Sequence, residues 1–542
     1  MTRRLPRAVS ALAALLAVVA LAACSASRAP AGTRASADLL TRAEATDYIE
    51  TSTYADVVAF LDVLDQRSDR LHVTSFGETV DGRRLPLVVW GAPSASAAAV
   101  RATGKTRVLV FANIHAGEVA GKEAALVLLR DLADGRHAAW ADSLVLLVAP
   151  IYNADGNERV AYDNRPLQLG PTGGMGERTN AQGLDLNRDF TKLASPEARA
   201  LVGLIRDADP HVVLDLHTTD GTLMGYHLTY APPLSPNTPR AIDRHLRDRW
   251  LPAVSDSLLT LDDFATYHYG NVPGAFGEET DAPRGWYSFS AQPRFSTNYT
   301  GLRNRYGILS EAYSYASFRE RVEVTRRFVE EALGYAWAHA AEIRATTEAA
   351  DRASVVGEPL AVRAEFAALP EPVDVLLGEA DTVAHPVTGA PMLQRRGVRQ
   401  PERMPAFVRF RAAETETAPA RYVVPAGPHQ AAVRALLDGH GVRYTVGSVD
   451  GPRQRFRVDS LRVSERTYQG RRPQEVFGAW AAAPDAGPLA AALVVPVDQP
   501  LARLAFALLE PRSDDGVVAW GTVPPDALRP GVFAPIERVP AR

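Results

Sequence analysis

Short apolar runs alternate with longer amphipathic stretches from about residue 39 to 345. Arg107–Ala112 (RVLVFA), Ser143–Pro150 (SLVLLVAP), His211–Leu216 (HVVLDL) and Tyr306–Ser310 read as strands. Between them Val119–Ala133, Pro196–Ala208 and Phe318–Ala341 read as helices, the first with Leu126, Leu129 and Leu132 among its apolar positions. The strands lack clean alternation, as strands buried on both faces do. The expected fold class is therefore α/β, a mixed, largely parallel sheet with helices on both faces.

Near Thr346–Gly357 the pattern changes. Leu360–Phe366 (LAVRAEF), Ala406–Phe410 (AFVRF) and Arg453–Val458 (RQRFRV) alternate at period two, the mark of half-exposed antiparallel strands. His429–His440 reads as one helix among them. A β-rich C-terminal accessory region is expected over 355–542, with a division near Arg421, and no internal repeat is found.

The first residues have a different character. Arg3, Arg4 and Arg7 precede a small apolar run from Ala8 to Ala23, the order of a secretory signal, too short for a comfortable membrane span. The run ends in Leu21-Ala-Ala-Cys24, which resembles a bacterial lipobox, so residues 1–23 are expected to be removed and Cys24 lipidated. Ser25 rather than Asp follows it, which leans toward the outer membrane. Residues 24–38 are small, polar and Pro-containing and read as a flexible tether. No pro-segment is evident between Cys24 and the folded region, and no zymogen stage is expected.

Composition narrows the class. The chain has 542 residues, 46% hydrophobic and 23% charged, which suits two to four globular domains. A formal charge of −4 argues against nucleic acid as the main partner. One cysteine rules out a disulfide scaffold.

The candidate chemistry gathers at strand ends. His115-Ala-Gly-Glu118 follows the Arg107 strand, and a His and a carboxylate so spaced can reach one metal as the chain turns. Asp215-Leu-His217 closes another strand, at the edge where open α/β sheets bind ligands. Two His and one carboxylate with an open fourth position form a catalytic zinc set rather than a closed structural one. In Gly183-Leu-Asp-Leu-Asn-Arg-Asp-Phe190, the adjacent Asn187 and Arg188 can grip a carboxylate through several donors, or cap the next helix. Glu311 leaves a buried apolar run, placed for an ion pair or for a general base. No G-x-S-x-G occurs, and Gly170–Gly176 (GPTGGMG) lacks the Gly-Lys-Ser/Thr of a phosphate loop, so it reads as a flexible loop beside the site. His137, His227, His245 and His268 have no partners at ligand spacing.

In order and context, His115, Glu118, Arg178, Asn187, Arg188, His217 and Glu311 resemble the zinc carboxypeptidase (M14, carboxypeptidase A-like) family over residues 45 to 345. The resemblance implies that His115, Glu118 and His217 bind one zinc ion, and that Asn187 and Arg188 clamp the substrate's terminal carboxylate. It further implies Glu311 as general base, Arg178 as the group polarising the scissile carbonyl, and Asp185 as the acceptor orienting a zinc-bound His. The catalytic domain so implied spans 39–345. One departure concerns the mobile tyrosine of these peptidases, for which Tyr287 and Tyr299 are candidates. Arg294–Arg305 (RFSTNYTGLRNR) is Arg-rich: Arg303 and Arg305 are either extra cations favouring an acidic substrate or ordinary surface charges.

The expectation is a carboxypeptidase acting on peptides with a free C-terminal carboxylate, held to the cell envelope by its lipid alone. The alternatives are a cell-wall peptide amidase or N-acyl amino acid deacylase with the same site, or a non-catalytic envelope binding protein. The terminal residue preferred, the role of the C-terminal region and the oligomeric state stay open.

Overall fold

The central strands form because their residues are mostly apolar on both sides and find cover on both. In the computed structural model, which describes residues 39–275, 279–484 and 486–541, every residue of Thr106–Ala112 and Leu144–Ala149 is buried. The signal, the tether and Cys24 lie outside the described residues.

We number the strands of the central sheet β1 (Leu71–Glu78), β2 (Arg84–Trp90), β3 (Thr106–Ala112), β4 (Leu144–Ala149), β5 (Val212–Thr219), β6 (Leu228–Ala231), β7 (Thr266–His268) and β8 (Tyr306–Tyr313). They order as β1-β2-β4-β3-β5-β8-β6-β7. The centre, β4-β3-β5-β8, is parallel, while β1, β2 and β6 join antiparallel, so the sheet is mixed. Helices Ala120–Ala133, Pro196–Ala208 and Phe318–Ala338 cover it.

Local chemistry sets their ends. The Pro196 helix starts on Ser195, whose hydroxyl accepts the Ala198 N–H, with Pro at the first position and Glu197 in the first turn. It stops where Asp209 turns left-handed at φ +50°. The stretch expected as one helix over Phe318–Ala341 is two: His339 (φ −112°) breaks it, and a second helix runs Ala340–Arg352. Strands β5 and β8 outrun the sequence expectation. Each continues through the polar residues that follow its apolar run, carrying His217 and Glu311 inside the sheet.

The C-terminal region is β-rich. Residues 359–417 supply two-stranded ladders, including Pro359–Ala367 against Arg409–Thr417. A six-stranded sheet follows, in the order Thr445–Val449, Leu489–Pro496, Arg421–Val424, Phe533–Val539, Arg453–Val463, Gln474–Ala483. Against it lie the expected helix, Gln430–His440, and one the sequence does not suggest, Ala502–Leu509. The latter (ARLAFALL) is apolar nearly all round and almost wholly buried, so it carries no helical stripe to read.

One hydrophobic cluster joins both regions, running from Leu109 and Val213 of the central sheet to Tyr422, Phe456 and Leu493 of the second. From Leu40 onward the chain is a single unit. Among the described residues no helix is long and apolar enough to cross a membrane.

Candidate metal centre and active site

Parallel strands β3, β5 and β8 deliver three chemistries to one sheet edge. The chain leaves β3 at Ala112 and turns through Asn113 (φ +64°) to place His115 and Glu118. In the β5–β8 register His217 pairs with Glu311, so imidazole and carboxylate stand side by side on one face. Ligand atoms of His115, Glu118 and His217 all lie within 4.8 Å of one another, and all three residues are buried.

Each histidine is fixed from behind. His115 Nε2 lies 3.0 Å from Asp185 Oδ1, and His217 Nε2 lies 2.9 Å from Asp215 Oδ2. Their Nδ1 atoms both face Glu118, at 3.0 Å from Oε1 and 2.8 Å from Oε2. If each Nε2 donates to its aspartate, a neutral ring offers only a lone pair at Nδ1, and lone pair against carboxylate is repulsive. Either a second proton or a cation must sit between them. The His₂Glu donor set, oriented by outer carboxylates, suits a zinc ion with an open position. The residues fit the ion.

Charges follow that logic. Burial opposes ionisation of Glu118, yet His115, Arg165 and His217 hold its carboxyl well below the usual range. Burial also opposes charge on His217, and Asp215, Glu311 and Glu118 still raise it well above an ordinary imidazole. Burial pushes Glu311 up to about 8, with His217 pulling back and Glu118 adding to the rise. The positive charge of an ion held by the cluster would pull that carboxyl back toward the ionised form a general base needs.

Asp185 is the hub of the remaining groups. Its Oδ2 accepts from Arg178 Nη2 at 2.9 Å and Nε at 3.2 Å, while Arg178 Nη1 reaches to 3.5 Å from Glu118. The Arg178 side chain is 40% exposed and faces the cavity. Asn187 accepts the Ser296 N–H on Oδ1 at 3.0 Å, and its Nδ2 lies 3.5 Å from His217 Nε2. Arg188 lays its guanidinium 4.3 Å over the Phe295 ring and donates to the Asn187 carbonyl at 2.9 Å. Both border the cavity shared by the metal ligands and Glu311.

The tyrosine expectation needs correcting. Tyr299 is fully buried away from the cavity, its hydroxyl bonded to His440 Nδ1 at 2.9 Å and to Arg303 at 3.1 Å. Tyr287 stacks on Phe407 at 4.2 Å. The tyrosine that borders the cavity is Tyr269, its phenol pushed above the ordinary range by burial and by Glu311. Neither account of the Arg-rich segment holds either. Arg303 and Arg305 are buried: Arg303 donates to the His440 carbonyl, and Arg305 bridges Asp209 and Asp351.

Arg165 carries no signal in the sequence, although it donates to Glu118 Oε1 at 3.0 Å and to the Thr218 carbonyl at 2.8 Å. It comes from a loop with no spacing relation to the motifs. The Gly-rich loop beside it is pinned, Gly173 N–H to the Ile49 carbonyl and Met175 bridged to Ala161.

Known proteins match part of the chain. The chain is 34% identical over 141 residues to carboxypeptidase 2 of Trichophyton rubrum, 25% of this chain and 23% of that protein. It is 31% identical over 158 residues to carboxypeptidase D of Mus musculus, 24% and 11% of the two. The match thus spans a quarter or less of these relatives. Among solved structures, the metallo-carboxypeptidase of Burkholderia cenocepacia aligns at 18% identity over 53% of this chain and 69% of that one, with a TM-score of 0.38. Carboxypeptidase A of Helicoverpa armigera aligns at 16% identity over 54% and 74%, with a TM-score of 0.38. The zinc carboxypeptidase family model covers residues 57–353, more than half of the chain and every residue of the site described above, and the chain belongs to that family.

Proposed function

We propose that the protein is a zinc-dependent carboxypeptidase that releases the C-terminal residue of peptides, exported and anchored at the cell envelope through Cys24. The observation that carries the reading is one cavity bordered by the metal cluster, Glu311 and the Asn187–Arg188 pair.

His115, Glu118 and His217 would hold the ion, which supplies Lewis acidity toward a water and the scissile carbonyl. Glu311 takes the proton of the attacking water and returns it to the departing amine. Arg178, fixed on Asp185, aims its free edge at the oxygen that gains charge. Arg188 and Asn187 receive the terminal carboxylate, Arg188 stiffened by the Phe295 face beneath it. Phe289, Phe295 and Leu309 add apolar surface to the wall, and Thr218, Thr219, Asp220, Tyr269 and Thr297 add polar groups.

The test is a double cycle of wild type and Arg188→Ala on a peptide and on its C-terminal amide. Hydrogen bonds to charged groups are worth about 1.5–3 kcal/mol, roughly 10- to 150-fold in kcat/KM. Arg188→Ala should cost that factor on the free acid and little on the amide. Equal losses on both would turn the assignment to an amidase or an endopeptidase. For the anchor, Cys24→Ser should move the protein from the membrane fraction to the soluble one with activity intact. Retention in the membrane would remove the lipid anchor.

A further inference from the structure

The carboxylate clamp is built from two short segments, and each is held from outside by the C-terminal region. The first is the turn Asp185–Arg188. The Asp185 N–H donates to the side-chain oxygen of Gln469, 284 residues away, at 2.8 Å. The second is Arg294–Ser296, which carries Phe295 under Arg188 and offers the Ser296 N–H to Asn187. There the Arg294 N–H donates to Asp515 Oδ2 at 2.7 Å, and its guanidinium pairs with Asp515 Oδ1 at 2.8 Å. That guanidinium also lies 4.7 Å over the Trp520 ring.

The two anchors share a mount. Tyr468 stacks on Trp520 at 6.2 Å, Arg471 donates to the Trp520 carbonyl, and Trp520 Nε1 donates to Asp515. Tyr468 and Arg471 close a tight turn whose tip is Gln469 and Gly470, at φ +51° and +73°. Asn or Gly suits the first of these positions better than Gln. A strained residue there points to a role for its side chain. Gln469 has the reach to meet Asp185, and Asn would fall short by a methylene.

Resting on the carboxypeptidase reading above, we infer that the C-terminal region sets the geometry of the substrate-carboxylate clamp, with Gln469 and Asp515 as its positioning residues. The peptide's terminus is gripped by Arg188 and Asn187. Where those two groups stand is decided by the turn at Gln469 and the pair at Asp515. A shift of the 185–188 turn moves Arg188 relative to the metal cluster, and such misplacement weakens binding of the acid terminus first.

The experiment compares wild type with Gln469→Met, Gln469→Glu and Asp515→Asn on a peptide and on its C-terminal amide, with a melting temperature for each. Gln469→Met keeps the length and removes the acceptor. It should raise KM for the free acid about 3- to 10-fold more than for the amide, the scale of one neutral hydrogen bond, any smaller loss common to both substrates coming from the hold of Asp185 on His115 and Arg178. Gln469→Glu keeps an acceptor and should restore KM to within about twofold of wild type. Asp515→Asn should repeat the Gln469→Met pattern from the other anchor. An acid-to-amide preference unchanged in both anchor variants, or equal losses on the two substrates, would overturn the inference. A wild type with no preference for the acid would instead overturn the carboxypeptidase reading and this inference with it.

Discussion

Glu311 and Glu510 stand in the two halves of the protein as carboxylates that burial pushes toward neutrality, to about 8 and about 7. Their surroundings differ in kind. Glu510 is 1% exposed and closed in on both oxygens: Tyr422 donates to Oε2 at 2.9 Å, Trp480 to Oε1 at 3.0 Å, and Arg538 stands 3.8 Å away. Glu311 faces a cavity, and the groups acting on it are the charges of His217, Glu118, Arg165 and Asp215. A shifted carboxylate whose oxygens are all taken holds its surroundings together. One whose oxygens remain open to a cavity beside a metal cluster is free to handle a proton. Satisfaction, rather than the shift itself, separates structure from chemistry.

The sharpest way to test that contrast is to empty the cavity side. His115→Ala or His217→Ala should bring zinc content well below one per chain. The fall in zinc affinity should exceed the roughly 10–100-fold that loss of an outer partner costs. Full zinc occupancy in either variant would remove that residue from the metal set. A chelator should abolish turnover while the Glu510 side, which contributes no ligand, stays folded.

Next in size is the proton itself. Glu311→Gln should keep zinc and lower kcat about 10²–10⁴-fold, the range of general acid–base catalysis. Its melting temperature should hold, because an amide is easier to bury than a carboxylate. A variant with near-normal kcat would put Glu311 in the same class as Glu510.

The cavity side is legible in sequence because its spacing is local. His115 and Glu118 follow one strand, His217 lies two residues before the end of another, and strand order alone brings them to one edge. What is not legible depends on loops folding back. Arg165 reaches Glu118 from a loop without periodicity, and Tyr269 reaches the cavity from beyond the short strand β7. Tyr299 looks equally apt, but its hydroxyl is taken by His440 of the C-terminal region. Arg303 and Arg305 read as site or surface because the sequence does not say that Asp209, Asp351 and the His440 carbonyl wait for them. The Ala502–Leu509 helix escapes because a short apolar run has no period to distinguish helix from strand.

A smaller effect is expected one layer behind the ligands. Asp215 holds His217 Nε2 through Oδ2, which also accepts from Ser296 Oγ. Asp215→Asn keeps the shape but replaces a carboxylate by an amide that orients the ring less well. Zinc affinity should fall about 10–100-fold, read by competition with a chromogenic chelator. An unchanged affinity would make Asp215 another closed, structural acid.

Turnover should respond least to Glu510, within about twofold on Glu510→Gln, since the residue lies in the C-terminal region and shares no partner with the site. Its signature is in stability against pH. The folded state raises this carboxyl from 4.5 to about 7, so between those values the folded protein holds a proton that the unfolded chain has released. Stability from this group is therefore present below about pH 4.5 and is lost as pH rises through about 7. The loss amounts to about 3 kcal/mol at most, each tenfold change in proton affinity being worth about 1.36 kcal/mol. Gln does not titrate, so Glu510→Gln should lack that decline. The urea midpoint of wild type relative to the variant should therefore fall between pH 5 and pH 7.5. Parallel changes in the two proteins would mean that the Tyr422, Trp480 and Arg538 contacts keep Glu510 ionised, and the two carboxylates would then differ in charge as well as in access.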